Sequence, residues 1–311
     1  MNMKVVPITN AATTDLRKQV QAMIATGFPR SRIVTEAGVR GGLLEQWLAG
    51  TLVDELTTQR LAAWIEKVEQ SQSDRLEPES VQTPTGERIK CALEFAHMTP
   101  SVAVIYGPAG IGKTVAASRY AQGCAYRSAV DVKAGEFNKT PTALLELIAN
   151  KLGVVGNAYR VDALMGAIIR EMRTPALVII DEAQHLSMST LDGLRYLYDE
   201  GGIGLALVGN EMVFTQIARG RRAMFAQLES RVGVYLSITR PEPGDLDAVL
   251  AAWGVSGRDE RALAQQIAAA PGALRVLAHV LRQASLAARE LNRPLDAALM
   301  RGARDARGGL Q

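Results

Sequence analysis

Cysteine and histidine are scarce in this 311-residue chain: Cys91 and Cys124 are its two thiols, and His97, His185 and His279 its three imidazoles. Two isolated cysteines cannot build a disulfide framework, and no histidine stands at ligand-like spacing from them, so a reducing cytosol and no structural metal are expected. Long apolar runs are also missing. Runs such as Ala176 to Ile180 and Ser101 to Tyr106 are strand length, well short of the roughly 20 residues that cross a bilayer. The opening MNMKVVPITN lacks the apolar stretch of a signal peptide, so no membrane partner is expected. Neither sign of charge dominates. The 35 Lys and Arg against 32 Asp and Glu leave +3, too mild by itself to single out nucleic acid. Internal repeats and low-complexity tracts are absent.

What remains is ordinary globular material, 48% hydrophobic and 22% charged, long enough for two domains or for one core with appendages. Charge is unevenly spread: from Pro271 onward seven arginines (275, 282, 289, 293, 301, 304 and 307) face Glu290, Asp296 and Asp305. That tail reads either as a nucleic-acid contact or as an Arg-rich solvated helix face.

Residues 1–68 read as a helical domain. Leu16, Val20, Met23 and Ile24 recur at helical spacing, a second helix starts near Ser31 and ends at Ala37-Gly38-Val39, and a third carries Leu43, Leu44, Trp47 and Leu48. The stretch IVTEAGVRGGLLEQWLAG resembles a helix-turn-helix, with Arg40, Glu45 and Gln46 directed to DNA while Val39, Leu44 and Leu48 pack inward. A bundle that binds protein is the alternative, and Gly41-Gly42 weakens the helix start. Residues 69–88, polar and carrying Pro78 and Pro84, read as a linker. In 89–243 apolar strands near 102–106, 129–133, 176–180, 204–208 and 232–238 alternate with helices, which predicts an α/β core with a parallel sheet covered on both faces. Residues 244–311 read as an all-α domain.

The motif GPAGIGKT, residues 107–114, follows a strand and opens a helix, the context a phosphate-binding loop requires. Gly107, Gly110 and Gly112 allow the loop of Gly107, Pro108, Ala109, Gly110, Ile111 and Gly112 to curl its N–H groups around phosphate oxygens. Lys113 would reach the β- and γ-phosphates, and Thr114 would hold Mg²⁺. The run ALVIIDEAQH delivers Asp181 and Glu182 to the carboxyl edge of the sheet, where Asp181 would serve Mg²⁺ and Glu182 would activate water. His185 reads as a local helix-start residue: DEAQH resembles a helicase box, but a helicase needs a second nucleotide-binding lobe. ATP is favoured over GTP because Asn138-Lys139 is followed by Thr140-Pro141, with no guanine-reading Asp.

In its motif order the core resembles an AAA+ P-loop NTPase. That resemblance makes Asn210, at the tip of IGLALVGN, a γ-phosphate sensor, with a helix cap as the alternative. It makes Arg231 an arginine finger for a neighbouring subunit, with Arg219, Arg221 and Arg222 as competitors. It makes Arg275, in PGALRVL, the sensor of an all-α lid.

Taken together, the helix-turn-helix, linker, GPAGIGKT, LVIIDEAQHL, IGLALVGN, the Ser-Arg before the last strand and PGALRVLAHVLR resemble the MuB family of transposable bacteriophages. The resemblance implies an ATPase with ATP and Mg²⁺ as cofactors. It also implies helical filaments of the protein itself on double-stranded DNA, recruitment of a transposase, target immunity, and residence in the cytoplasm of a bacterial or phage-infected cell. Lys133 and Lys139 are candidate phosphate contacts, with Arg160, Arg170 and Arg173 behind them. Two other classes stay open: a nucleotide-switched transcription regulator with a helix-turn-helix, and a secretion-type AAA+ ATPase.

Overall fold

Five short aliphatic runs make one sheet: β1 Val102–Tyr106, β2 Ala129–Lys133, β3 Leu177–Asp181, β4 Gly204–Gly209 and β5 Val232–Ser237, in the order β2-β3-β4-β1-β5. Each neighbouring pair is parallel, so every connection must cross a face of the sheet. The computed structural model describes residues 10–25, 28, 30–51, 54–73, 78, 81–125, 127–154, 160–218, 228–270 and 272–308. The strands fall within one residue of their expected bounds.

Alternation along the strands sends successive side chains to opposite faces. Val102, Val104, Val178, Ile180, Leu205 and Leu207 build one core against α7 (Pro141–Lys151), α8 (Val161–Glu171) and α9 (Met188–Asp199). Ala103, Ile105, Ile179, Ala206 and Val208 build the other against α5 (Pro84–Met98) and α6 (Lys113–Gly123). This double cover explains why β3 and β4 are buried along their whole length. A short helix, α10 (Glu211–Ala218), follows β4. Buried His97 ties the two layers of the second face: its Nε2 lies 2.9 Å from the Pro175 carbonyl and its Nδ1 2.9 Å from the Tyr120 hydroxyl. A carbonyl only accepts, so Nε2 carries the hydrogen and Nδ1 accepts from Tyr120.

Four further helices, α11 (Asp245–Ala252), α12 (Arg258–Ala269), α13 (Ala273–Glu290) and α14 (Ala297–Gly308), enclose a core of their own around Leu250, Leu263, Ile267, Leu277, Leu281 and Met300. Their link to the sheet is specific. Asp245, fully buried, accepts from the Thr85 N–H (2.8 Å), the Thr85 hydroxyl (2.5 Å) and the Glu242 N–H (2.8 Å), while Arg88 pairs with Glu242. The start of α5 is thus bolted to the start of the helical lid.

The stretch expected as a linker, 69–88, is in part helix: α4 (Glu55–Ser73) runs on to Ser73, and α5 begins at Pro84. Proline breaks a helix interior but suits its first position, where the missing N–H has no partner to lose. Thr83 completes the start by accepting from the Gly86 N–H at 3.0 Å.

The chain divides into two compact units, Met1–Arg75 and Leu76–Gln311. The first holds α1 (Asn10–Ala25), α2 (Arg30–Ala37), α3 (Gly41–Leu48) and α4 around Val20, Ile33, Leu44, Trp47, Leu61 and Trp64. Gly38, with φ +64, turns the chain between α2 and α3. Arg40, Glu45 and Gln46 are exposed, Val39 and Leu44 buried. Gly41 and Gly42 do not prevent α3, whose buried Trp47 donates to the Thr58 hydroxyl at 2.9 Å. Among the described residues no helix is long and apolar enough to cross a membrane.

Candidate functional site

The loop Gly107–Gly112 leaves β1 at the carboxyl edge of the sheet and enters α6 at Lys113. Two of its glycines are required by contact. A Cβ on Gly107 would lie 2.0 Å from the Ile238 carbonyl oxygen, and one on Gly110, whose φ is +88, would lie 2.0 Å from the Gly272 carbonyl oxygen. The second contact seats the lid directly on the loop, and the Arg275 N–H donates to the Gly110 carbonyl at 3.2 Å. Lys113 Nζ donates to the carbonyls of Gly107 and Pro108, 2.8 Å each. Asp181 ends β3 and is 7% exposed. Its Oδ2 accepts from the Thr114 hydroxyl at 2.7 Å.

Glu182 adopts a left-handed backbone, φ 55 and ψ 36, uncommon for a residue with a side chain and frequent at functional sites. That turn starts a short 3₁₀ segment, Ala183–His185. The segment brings Gln184 back beside it: Gln184 Nε2 donates to Glu182 Oε2 at 2.6 Å, and Gln184 Oε1 accepts from the Asn210 N–H at 3.3 Å. Gly209 leaves room for this carboxamide, since a Cβ there would sit 2.3 Å from Gln184 Oε1. Asn210 uses its side chain as a cap, Oδ1 accepting from the Met212 N–H at 2.9 Å.

Lys113, Thr114, Asp181, Glu182, Asn210 and Arg275 all line one cavity of about 790 Å³, within the range of roughly 300–1,000 Å³ usual for ligand sites. Val249, Trp253 and Leu274 of the lid form an apolar wall. Arg119 lines it too; its Nη1 donates to the Val81 carbonyl at 3.1 Å, while its buried Nη2 has no hydrogen-bond partner among the described residues. An unpaired buried donor and a lysine satisfied only by carbonyls suit an anionic, acceptor-rich ligand such as a nucleoside triphosphate.

Burial holds the Lys113 ammonium below the ordinary lysine value; Asp181 and Glu182 pull it back up, and Arg275 pushes it down. A bound polyphosphate raises it again. Affinity for such a ligand is therefore full below the free-state pKa and falls as pH climbs from the free to the bound value. Calorimetry across that interval should show proton uptake on binding, and Lys113→Arg, which stays protonated, should abolish it. Uptake that persists in Lys113→Arg would assign the proton elsewhere.

The other expected residues lie apart. Arg231 is at the amino edge of the sheet, where its carbonyl accepts from the Val102 N–H at 2.9 Å, about 15 Å along the strand from the phosphate loop. Asp199 grips its guanidinium with both oxygens, at 2.7 and 2.9 Å. Lys133 is exposed at the end of β2, Lys139 pairs with Glu136 at 2.9 Å, and Arg160 pairs with Asp162 at 3.0 Å. Arg170 and Arg173 are exposed. His185, expected to start a helix, instead ends the 3₁₀ segment, with Nδ1 3.7 Å from Glu136 Oε1. Arg219, Arg221, Arg222 and Pro271 lie outside the described residues.

Residues 96–217 match the family model of an AAA domain, and residues 230–305 match that of the Mu B transposition protein, C terminal. The chain is 34% identical over 264 residues to the ATP-dependent target DNA activator B of Escherichia phage Mu, covering 83% of each protein. It belongs to the Mu B transposition protein family. A second relative, the Mu-like prophage FluMu DNA transposition protein B of Haemophilus influenzae, is 34% identical over 274 residues, 85% of this chain and 94% of that one. Among solved structures, Drosophila ORC bound to DNA aligns with a TM-score of 0.50 at 17% identity, over 73% of this chain and 63% of that one, a likeness of fold alone. This Mu B-family chain is thus an AAA+ protein that binds ATP and hydrolyses it.

Gln184 stands inside the DEAQH run, but its position in the sequence does not single it out. Its role depends on the left-handed turn at Glu182, which spacing alone does not reveal. Gln184→Ala should free the Glu182 carboxylate and lower kcat roughly 10- to 100-fold, as misplacement of a reacting group by about 1 Å does, with KM for ATP little changed. A matched rise in KM would instead make Gln184 part of the binding surface.

Proposed function

We propose that this chain binds double-stranded DNA without regard to sequence when loaded with ATP, assembles with further copies of itself on that DNA, and delivers the target to a transposase. Hydrolysis then releases the assembly and supports target immunity. The observation that carries the reading is the convergence of Lys113, Thr114, Asp181, Glu182 and Arg275 on one cavity in a chain whose relatives are named as DNA activators and transposition proteins.

Within the cavity, the N–H groups of residues 109–112 cradle the phosphates, Lys113 neutralises the β- and γ-groups, and Arg275 couples the nucleotide to lid position. Thr114 and Asp181, an oxygen pair 2.7 Å apart, would hold Mg²⁺, which offsets phosphate charge. Glu182 accepts the proton of the attacking water, Asn210 marks the γ-phosphate end, and Arg231 serves the site of a neighbour. Residues 1–68 act as a helix-turn-helix module, 69–88 as the connection, 89–243 as the nucleotide-binding core and 244–311 as the lid. The protein works in the cytoplasm, as an enzyme acting on intracellular DNA must.

Salt titration tests the DNA part. Neutralising phosphates releases counterions, so about six contacts weaken binding roughly a thousandfold between 50 and 200 mM salt. Lys133→Ala/Lys139→Ala should shallow that slope with no change in sequence preference. A footprint confined to one sequence, indifferent to ATP and lost on deleting residues 1–68, would favour a helix-turn-helix transcription regulator. Absence of any DNA affinity would favour a secretion-type ATPase.

A further inference from the structure

Between Lys133, the last residue of β2, and Lys139, just ahead of α7, residues 135–138 form a tight turn. Asn138 ties it in three ways: its N–H donates to the Gly135 carbonyl (3.1 Å), its Oδ1 accepts from the Gly135 N–H (2.6 Å), and its Nδ2 donates to the Lys133 carbonyl (3.0 Å). The far end is fastened as well. The Lys139 carbonyl accepts from the Ser187 N–H (3.3 Å) and the Thr190 hydroxyl (2.6 Å), and Glu136 pairs with Lys139 and His185.

On this frame Phe137 is the third residue of the turn and stands wholly in solvent. Its relative exposure, 101%, exceeds that of every other large apolar side chain among the described residues. A phenylalanine in water forgoes the burial its ring could gain, and the turn that carries it is tied on both sides of the ring. The same ties lead to the catalytic edge. Ser187 and Thr190 open the helix that follows the 3₁₀ segment Ala183–His185, so the ring is mounted on the structure next to Glu182, which lines the cavity.

We propose that Phe137 is an apolar wedge that enters between base steps of double-stranded DNA while Lys133 and Lys139 hold the flanking phosphates. The proposal rests on the DNA-binding reading above and adds the residue and the mode. A wedge unstacks one step and bends or unwinds the duplex. Its contribution ignores sequence, because every base has a stacking face, and it releases no counterions, because it neutralises no charge. The ring and the lysines can therefore be told apart.

The test uses the full chain with ATP, random-sequence duplex and four proteins: the parent, Phe137→Ala, Phe137→Leu and Lys133→Ala/Lys139→Ala. Affinity is read against salt, and unwinding as the change in linking number when a topoisomerase relaxes closed circular DNA carrying the protein. Phe137→Ala should bind about five- to a hundredfold more weakly, keep the parent's salt slope, lose the linking-number change and keep DNA-independent ATP hydrolysis. Phe137→Leu should retain most of both effects, since leucine also serves as a wedge. The lysine variant should show a shallower slope and an intact linking-number change per bound chain. Parental affinity and unwinding by Phe137→Ala would overturn the proposal. So would normal DNA affinity with lost self-assembly or lost response to a transposase, which would make the ring a protein contact. A parent that binds no DNA at any salt would remove the DNA-binding reading itself, a failure visible before any variant is made.

Discussion

Glu182→Gln should retain ATP and hydrolyse it roughly 10²- to 10⁴-fold more slowly than the parent, the usual cost of removing a general base. The change keeps the size of the side chain and its ability to accept from Gln184 Nε2, which lies 2.6 Å from the carboxylate. It removes the capacity to take up a proton, together with a negative charge that helps Lys113 keep its own. The phosphate loop, Lys113 and the Thr114–Asp181 pair are untouched, so binding should survive. Retention of labelled ATP by the variant, followed through a single turnover, checks both halves. Hydrolysis within tenfold of the parent would move the base elsewhere, and loss of ATP binding would mean that Glu182 supports the loop rather than the chemistry.

Arg231→Ala should cost about 10³- to 10⁵-fold in hydrolysis by the assembled protein, as removal of an arginine finger does. The loss should be repairable from outside the mutated chain. Arg231 sits at the amino edge of the sheet, held by Asp199, and the phosphate loop is at the carboxyl edge, so the guanidinium cannot serve its own cavity. A head-to-tail assembly would bring it to the next one. Mixing Arg231→Ala with Glu182→Gln chains creates hybrid interfaces in which an intact Glu182 faces an intact Arg231, about a quarter of the total in an equimolar head-to-tail assembly. Hydrolysis should reappear on mixing, although neither variant is active alone. If assembly is normal and mixing restores nothing, the role passes to Arg219, Arg221 or Arg222.

The sheet and the phosphate loop were legible because their physics is local. A buried parallel strand must be apolar throughout, and a loop that wraps phosphate must carry glycine and end in lysine, so β1, β3, β4 and GPAGIGKT declare themselves in a few consecutive residues. The start of α5 was not legible. Pro84 has the same composition signal whether it breaks a helix or opens one, and the deciding partners, the Thr83 cap and the Thr85–Asp245 clasp, include a contact 160 residues distant along the chain. The sequence marks Gly110 as a phosphate-loop glycine but gives no sign of its second constraint, the lid carbonyl of Gly272 that a Cβ there would meet at 2.0 Å. Gln184 escaped notice because a left-handed glutamate, not a spacing rule, turns it toward Glu182 and Asn210. Lys139 and Arg160 stand as candidate phosphate contacts in the sequence, which does not show that each meets a nearby carboxylate in the fold.

In the function proposed above, ATP switches this chain onto DNA of any sequence as an ordered assembly. Electron microscopy of the protein with random-sequence double-stranded DNA, with ATP and without nucleotide, tests it most directly. Continuous helical filaments should form along the DNA with ATP, none without nucleotide, and none with ATP when Lys113 is replaced by Ala. Discrete particles at a few fixed positions, or bare DNA in the presence of ATP, would contradict it.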